Sequence, residues 1–243
     1  MLATGIDVPF PELRMNIHQP SMKEISFIGE ETFFLGCEIL NFSKDKFLND
    51  EDKNNLEDKS NFQVFMTILK GQNPNAQKSK ICAMMVLSLI FPEYRISFQK
   101  NHIAFTKEGE SDTHSLSDDN FEKFKEIIVS IFCLKKSNNE GLNYNPGNDA
   151  ARKIAERFRK NRAKIAEMKG ESKKVSILSR YISILVIGQH KSFESFLNYT
   201  VYQLFDEFER YELKENYDWI LKAKMAGAKD LDEVDNWMKE LHP

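Results

Sequence analysis

Three kinds of side chain here have the types to do chemistry: five histidines, three cysteines and a run of arginines and lysines. His18, His102, His114, His190 and His242 are scattered, and no two stand at metal-ligand spacing. Cys37, Cys82 and Cys133 each sit inside an apolar run, far apart in sequence. That is neither a zinc nor a disulfide spacing, and it fits three buried small hydrophobes in a reducing compartment. Asp118 and Asp119 look like a carboxylate pair, but at the start of a helix they more simply complement its dipole. The chain has no glycine-rich phosphate loop, no G-x-S-x-G elbow and no cysteine near a histidine in sequence. The expectation is a non-enzymatic protein with no catalytic residues, no metal and no cofactor.

The basic run is Asp149 to Lys169, with eight Lys or Arg against three Asp or Glu. Ile154, Phe158, Ile165 and Met168 give it a narrow apolar stripe, so it reads as a helix over 149–169 whose other faces are cationic. Arg152, Lys153, Arg157, Arg159, Lys160, Arg162 and Lys164 could pair with phosphates. Phe158 is the one aromatic residue in the run, which is too few for base stacking. Three readings stand: a helix facing solvent or an acidic protein surface, a nucleic-acid contact, and an anionic membrane surface.

The elements that would position these groups read mainly as helices. The chain has 243 residues, 41% of them hydrophobic, with 10 Gly and 7 Pro, and so few turn-formers favour helices over a many-stranded sheet. A formal net charge of −3 argues against a protein that coats nucleic acid through overall charge. No apolar run reaches the length of a membrane span, and no basic-then-apolar signal opens the chain. A soluble, intracellular protein is expected.

Residues 1–20 read as an extended lead-in with one short strand at Glu12 to Ile17. Ser21 and Glu24 have capping-box spacing, and one helix is expected from Met22 to Leu40. Gly29 and Gly36 in it would let another backbone approach. Asn61 is the expected cap of a helix from Phe62 to Leu69. Ala76 to Phe91 reads as a helix apolar almost all round, hence buried on most sides. Tyr94 to Phe98 and His102 to Phe105 alternate as a hairpin around Lys100-Asn101, with Leu116 on a third strand. Ser117 should cap a helix from Asp118 to Leu134 with Phe121, Phe124, Ile127, Ile128, Ile131 and Phe132 inward. The fold class is α+β, mainly α: N-terminal helices with a small antiparallel hairpin over 1–140, then an all-helical unit over 141–243.

In that second unit Ser172 should cap a helix from Lys174 to Ile187, stopped by Gly188. Thr200 and Gln203 make a further capping box at the head of a long helix over 201–226. Its stripe Val201, Leu204, Phe205, Phe208 and Tyr211 slips after Tyr211 to Leu213, Tyr217, Ile220, Leu221 and Met225, so its two halves should meet different surfaces. Gly227 occupies the left-handed stop position. Asp232 should cap a short helix bearing Trp237 and Met238. Eleven acidic and six basic residues make Asp206 to Pro243 locally acidic.

The C-terminal residues carry a resemblance. The run Thr200 to Asp206, then Arg210-Tyr211, Tyr217-Asp218, Lys224 to Ala228, Asn236 to Lys239 and Leu241-His242, resembles the end of a group of tailed-phage tail proteins that includes tail assembly chaperones. Tyr144-Asn145-Pro146 and the basic helix resemble the preceding part, so about residues 140–243 are covered. Asn16 to Pro20 and the helix after it fit the same group. The resemblance implies a helical protein of the host bacterial cytoplasm that holds the tape measure protein and recruits tail-tube subunits. A homo-oligomer is allowed, while nucleic acid and membrane are disfavoured. Tyr211, Tyr217, Trp237, Met238 and the seven basic residues are then the partner-binding candidates. The alternatives are a nucleic-acid-binding phage protein using the basic helix and a minor structural protein of the virion tail or neck.

Overall fold

The computed structural model describes residues 2–44, 56, 58–109, 112–134, 176–227 and 236–238. The basic helix expected over 149–169 therefore lies outside the described residues, and so do Ser172 and Asp232. The described chain is mainly helical, with one two-stranded and one three-stranded antiparallel sheet.

Beyond the expected strand, the lead-in folds as a hairpin: β1 (Val8–Phe10) pairs with β2 (Met15–Ile17). A 3-10 turn at Pro11–Leu13 and a left-handed Arg14 join them, so the expected strand at Glu12 starts only at Met15. Pro11 presets the turn, and Phe10, Met15 and Ile17 fall on the buried side.

The single helix expected over Met22–Leu40 is two: α1 (Met22–Ile28) and α2 (Glu30–Leu40). Gly29 separates them at φ 81°, a left-handed conformation that bends the chain at little cost for glycine. The capping box at α1 is present in full, with the Glu24 carboxylate accepting from the Ser21 N–H at 2.8 Å. Burial pushes the Glu24 pKa up, but the Ser21 hydroxyl and N–H and the nearby His18 outweigh it and hold the carboxyl below its ordinary 4.5. A carboxyl with a lowered folded pKa adds stability above the unfolded value and loses it as pH falls through the folded one. Glu24→Gln should therefore lower the urea midpoint at pH 7, with the gap to the wild type closing as pH falls through the folded pKa of Glu24.

α3 (Asn61–Leu69) is capped by Ser60, not Asn61. Ser60 stands three residues before Gln63 and completes a capping box, which frees the Asn61 side chain to accept from the Lys44 N–H at 3.0 Å. α4 (Pro74–Ile90) starts at its Asn73 cap. It is not buried on most sides: Ala83, Val86, Leu87 and Ile90 are buried, while Ile81, Met84 and Met85 form an exposed strip. α2 lies against α4 with their backbones in contact at Gly36. A Cβ there would meet the Cys82 carbonyl oxygen and Val86 Cγ2 at 2.5 Å each.

The hairpin β3 (Tyr94–Phe98) and β4 (Ile103–Lys107) turns at Lys100-Asn101 as expected, with Phe98 opposite Ile103, and β5 (Thr113–Leu116) lies on its far edge with Leu116 opposite Ile103. α5 (Asp118–Ile131) follows Ser117 and places Phe121, Phe124, Ile128 and Ile131 inward, with Ile127 half-buried. Phenylalanine builds the centre. Phe91 packs on Phe105 at 4.7 Å and on Phe124 at 6.4 Å, and Phe121 meets Phe62 and Phe65 at 5.1 Å each. Cys37 and Cys82 are buried as expected; Cys133 is half-buried and left-handed at φ 50°.

α6 (Ile177–Gln189) is capped by Ser176. Gly188 does not stop it but lies inside it, and the left-handed His190 ends it. α7 (Val201–Met225) has the expected Thr200–Gln203 box, with Gly227 just beyond at φ 87°. One apolar cluster draws on both sides of the 140/141 boundary: Leu178, Leu185, Phe196, Val201 and Leu204 join the N-terminal core.

Candidate interaction surface

The C-terminal helices are fixed to the rest by directed bonds. The Glu30 carboxylate, on the first residue of α2, accepts from the N–H groups of Ile177 and Leu178 and from the Ser176 hydroxyl. One helix thus supplies the anionic cap of another. The N–H groups of Met22 and Lys23 donate to the carbonyls of Tyr199 and Leu197, and Gln203 Nε2 donates to the Ala3 carbonyl at 3.0 Å. α6 and α7 meet through aromatic rings, Tyr181 stacking on Phe208 at 3.8 Å and standing edge-on to Phe205 at 5.2 Å.

Beside this contact is a cleft of about 620 Å³, lined among others by Ala3, Gly188, Tyr211, Lys214 and Trp237. Its charges are mostly paired. Arg210 donates to Asp206 at 3.0 Å, and Lys191 bridges Glu207 and the Tyr199 hydroxyl while lying over the Phe196 ring. Burial lowers the Lys191 pKa, but Glu207 and Tyr199 more than offset it and hold the ammonium form above its usual range. Burial and the same Glu207 push the Tyr199 phenol up. Among the described residues no group of three or more His, Cys, Asp or Glu is placed to hold a metal ion. An opening walled by aromatic rings and neutralised charge pairs suits a side chain or short peptide segment held by contact and hydrogen bonds.

Tyr211 closes one wall of the cleft by packing on Gly188, where a Cβ would meet the Tyr211 hydroxyl at 2.2 Å. The obstacle is the far end of a side chain, so Gly188→Ala should cost no more than about 1 kcal/mol, offset by alanine's better helix propensity. The ring must swing instead. The expected result is a near-normal thermal midpoint with altered Trp237 emission, read in a Trp219→Phe background.

Of the sequence-based candidates, Tyr211 and Trp237 come together at this cleft. Tyr217 is half-buried on the far half of α7 and Met238 is exposed, and neither lines the cleft. Trp237 and Met238 sit in a turn rather than the expected helix, because the Asn236 side chain accepts from the Met238 N–H at 3.0 Å. Arg152, Lys153, Arg157, Arg159, Lys160, Arg162 and Lys164 lie outside the described residues.

Sequence reasoning missed the most exposed aromatic residues among those described: Phe27 at 79%, Trp219 at 65% and Phe193 at 60%, with Leu197 also exposed. Phe27 lies one turn beyond Lys23, whose N–H holds the Leu197 carbonyl and so ties α1 to the 192–197 turn that bears Phe193 and Leu197. The available signal for Phe27 was its place off the Met22–Ile25 face, four residues from Lys23.

No helix among the described residues is long and apolar enough to cross a membrane. No curated protein and no solved structure matches the chain. A family model does match part of it: residues 170–242, which include α6, α7 and Trp237, fit the YomV second domain, a phage-derived family named for a Bacillus prophage protein. The C-terminal part of this chain is therefore similar to a domain of phage origin, and that similarity points to a phage protein.

Proposed function

We propose that this is a tail assembly chaperone of a tailed phage, a non-enzymatic protein of the host cytoplasm that holds the tape measure protein and tail-tube subunits during morphogenesis. The observation that carries this reading is the set of exposed apolar side chains formed by Phe27 on α1 and by Phe193 and Leu197 on the 192–197 turn bonded to it, the latter two inside the region similar to the phage domain. Large aromatic side chains left in water on a well-anchored seam act as anchors for a partner. A tape measure protein offers long amphipathic helices, whose apolar stripes fit such side chains. Co-expression with the tape measure protein of the same phage, followed by affinity capture, tests it. The expected result is co-purification that Phe27→Ser/Phe193→Ser weakens at least ~10-fold, since each lost anchor is worth about 1 kcal/mol or more. Failure of either protein to solubilise or retain the other would overturn it.

The local +5 charge of residues 149–169 supports one alternative, a nucleic-acid contact. Retarded migration of DNA or RNA, lost with salt and with Arg157, Arg159 and Arg162 changed to Glu, would favour that alternative.

A further inference from the structure

The first half of α7 meets the body along a seam of four- and three-residue steps, Val201, Phe205 and Phe208. Val201 is buried, and Phe205 and Phe208 pack against Tyr181 of α6. The same steps continued give Glu212, Glu215, Trp219, Lys222 and, at the C-cap, Ala226. All five are exposed. The helix outruns the body; its apolar stripe has slipped to another face, but the face that carries Val201 and Phe208 continues and bears a tryptophan that is 65% exposed. About four turns of helix are marginal in water without packing, so this half of α7 calls for a cover.

The residues on the seam say what covers it. Acidic groups, Glu212 and Glu215, precede Trp219, and a basic one, Lys222, follows it. A two-fold axis between Asp218 and Trp219, perpendicular to the helix, sets Glu215 of one copy opposite Lys222 of the other, twice. It also sets Glu212 opposite Met225 and brings the two indoles within one residue step of each other. In an antiparallel helix pair, residues on the same flank of the seam face each other, and Glu215 and Lys222 are seven residues apart on one flank. A parallel pairing in register would place Glu215 on Glu215 and Lys222 on Lys222, which repel. We propose that the distal half of α7 is a self-association surface, on which a second copy of this chain docks antiparallel around Trp219.

Such an interface is isologous and closed. Only a few turns contribute from each copy, so it sits at the small end of specific interfaces, below roughly 1,200 Å², and forms at micromolar concentration. It does not depend on the identity of the client bound at Phe27.

Sedimentation velocity on the full chain tests it. Between ~1 and ~200 µM the mass should rise from 28.3 kDa toward twice that value. Glu215→Lys and Lys222→Glu should each move the midpoint to at least ~10-fold higher concentration by creating like-charge contacts. The double variant restores complementarity and should dimerise as the wild type does, and the two single variants mixed should form a hetero-pair. All these sites are exposed, so circular dichroism should stay native. A monomer throughout the range would overturn the proposal. So would a dimer indifferent to both single changes, or a natively folded double variant that stays monomeric.

Discussion

Phe124→Ala should lower the unfolding free energy by about 3–5 kcal/mol, the range for deleting a fully buried ring. Phe124 has no exposed surface and lies where three parts of the fold meet. It sits on α5, 6.1 Å from Phe10 of β1 and 6.4 Å from Phe91, the residue that ends α4. Its neighbours are themselves locked, Phe91 by Phe105 and Phe10 by the β1–β2 register. They cannot collapse into the space, so the cavity cost adds to the lost transfer energy. A domain typically has about 5–15 kcal/mol in all, so this one change removes a large share. At roughly 2–4 °C per kcal/mol for a chain of this size, the thermal midpoint should fall by about 10 °C. Phe124→Leu, which keeps most of the volume, should cost less than half as much. Urea unfolding checks both. A loss under ~1 kcal/mol for the alanine variant would mean that the ring is not at the junction described.

Gly36→Ala is expected to destabilise by about 2 kcal/mol although alanine is the better helix former by nearly 1 kcal/mol. The sign is decided by what the new methyl group meets. At Gly36 it meets the Cys82 carbonyl oxygen at 2.5 Å, part of the backbone of α4, and Val86 Cγ2 equally close. Neither can turn away, so α2 and α4 must separate along their length and loosen Phe33, Cys37 and Val86. Gly188 is the internal control, because there only the Tyr211 ring must move. The two glycine-to-alanine variants compared by calorimetry should differ by well over 1 kcal/mol. Equal midpoints would show that the α2–α4 contact can relax.

Local features were legible in the chain. The boxes at Ser21 and Thr200 and the stop at Gly227 depend on groups three or four residues apart, so residue type and spacing are enough to place them. The β3–β4 register was legible for a related reason, since a two-residue turn leaves one alignment that keeps Ile96 and Phe105 on one face. Gly29 shows the limit. A glycine within a periodic apolar run reads the same whether the helix passes through it or breaks, and only the path to α4 decides. The candidate surface was half legible: Tyr211 and Trp237 stood out by type, but that they share a cleft with Ala3 and Gly188 depends on residues some two hundred positions apart.

By itself the sequence determined a mainly helical α+β chain, the starts of α1, α5 and α7, and the aromatic content of its core. Those follow from hydrogen bonds and periodicities spanning at most a few turns. Tertiary structure alone decided which apolar residues stay in water. Ile81 and Phe27 are as hydrophobic as Cys82 and Ile25, buried beside them in sequence. Hydrophobicity records what would gain by burial, whereas burial itself depends on whether the rest of the chain has surface to spare at that point. Among the described residues, Trp219, Leu221 and Met225 at the far end of α7 stay exposed.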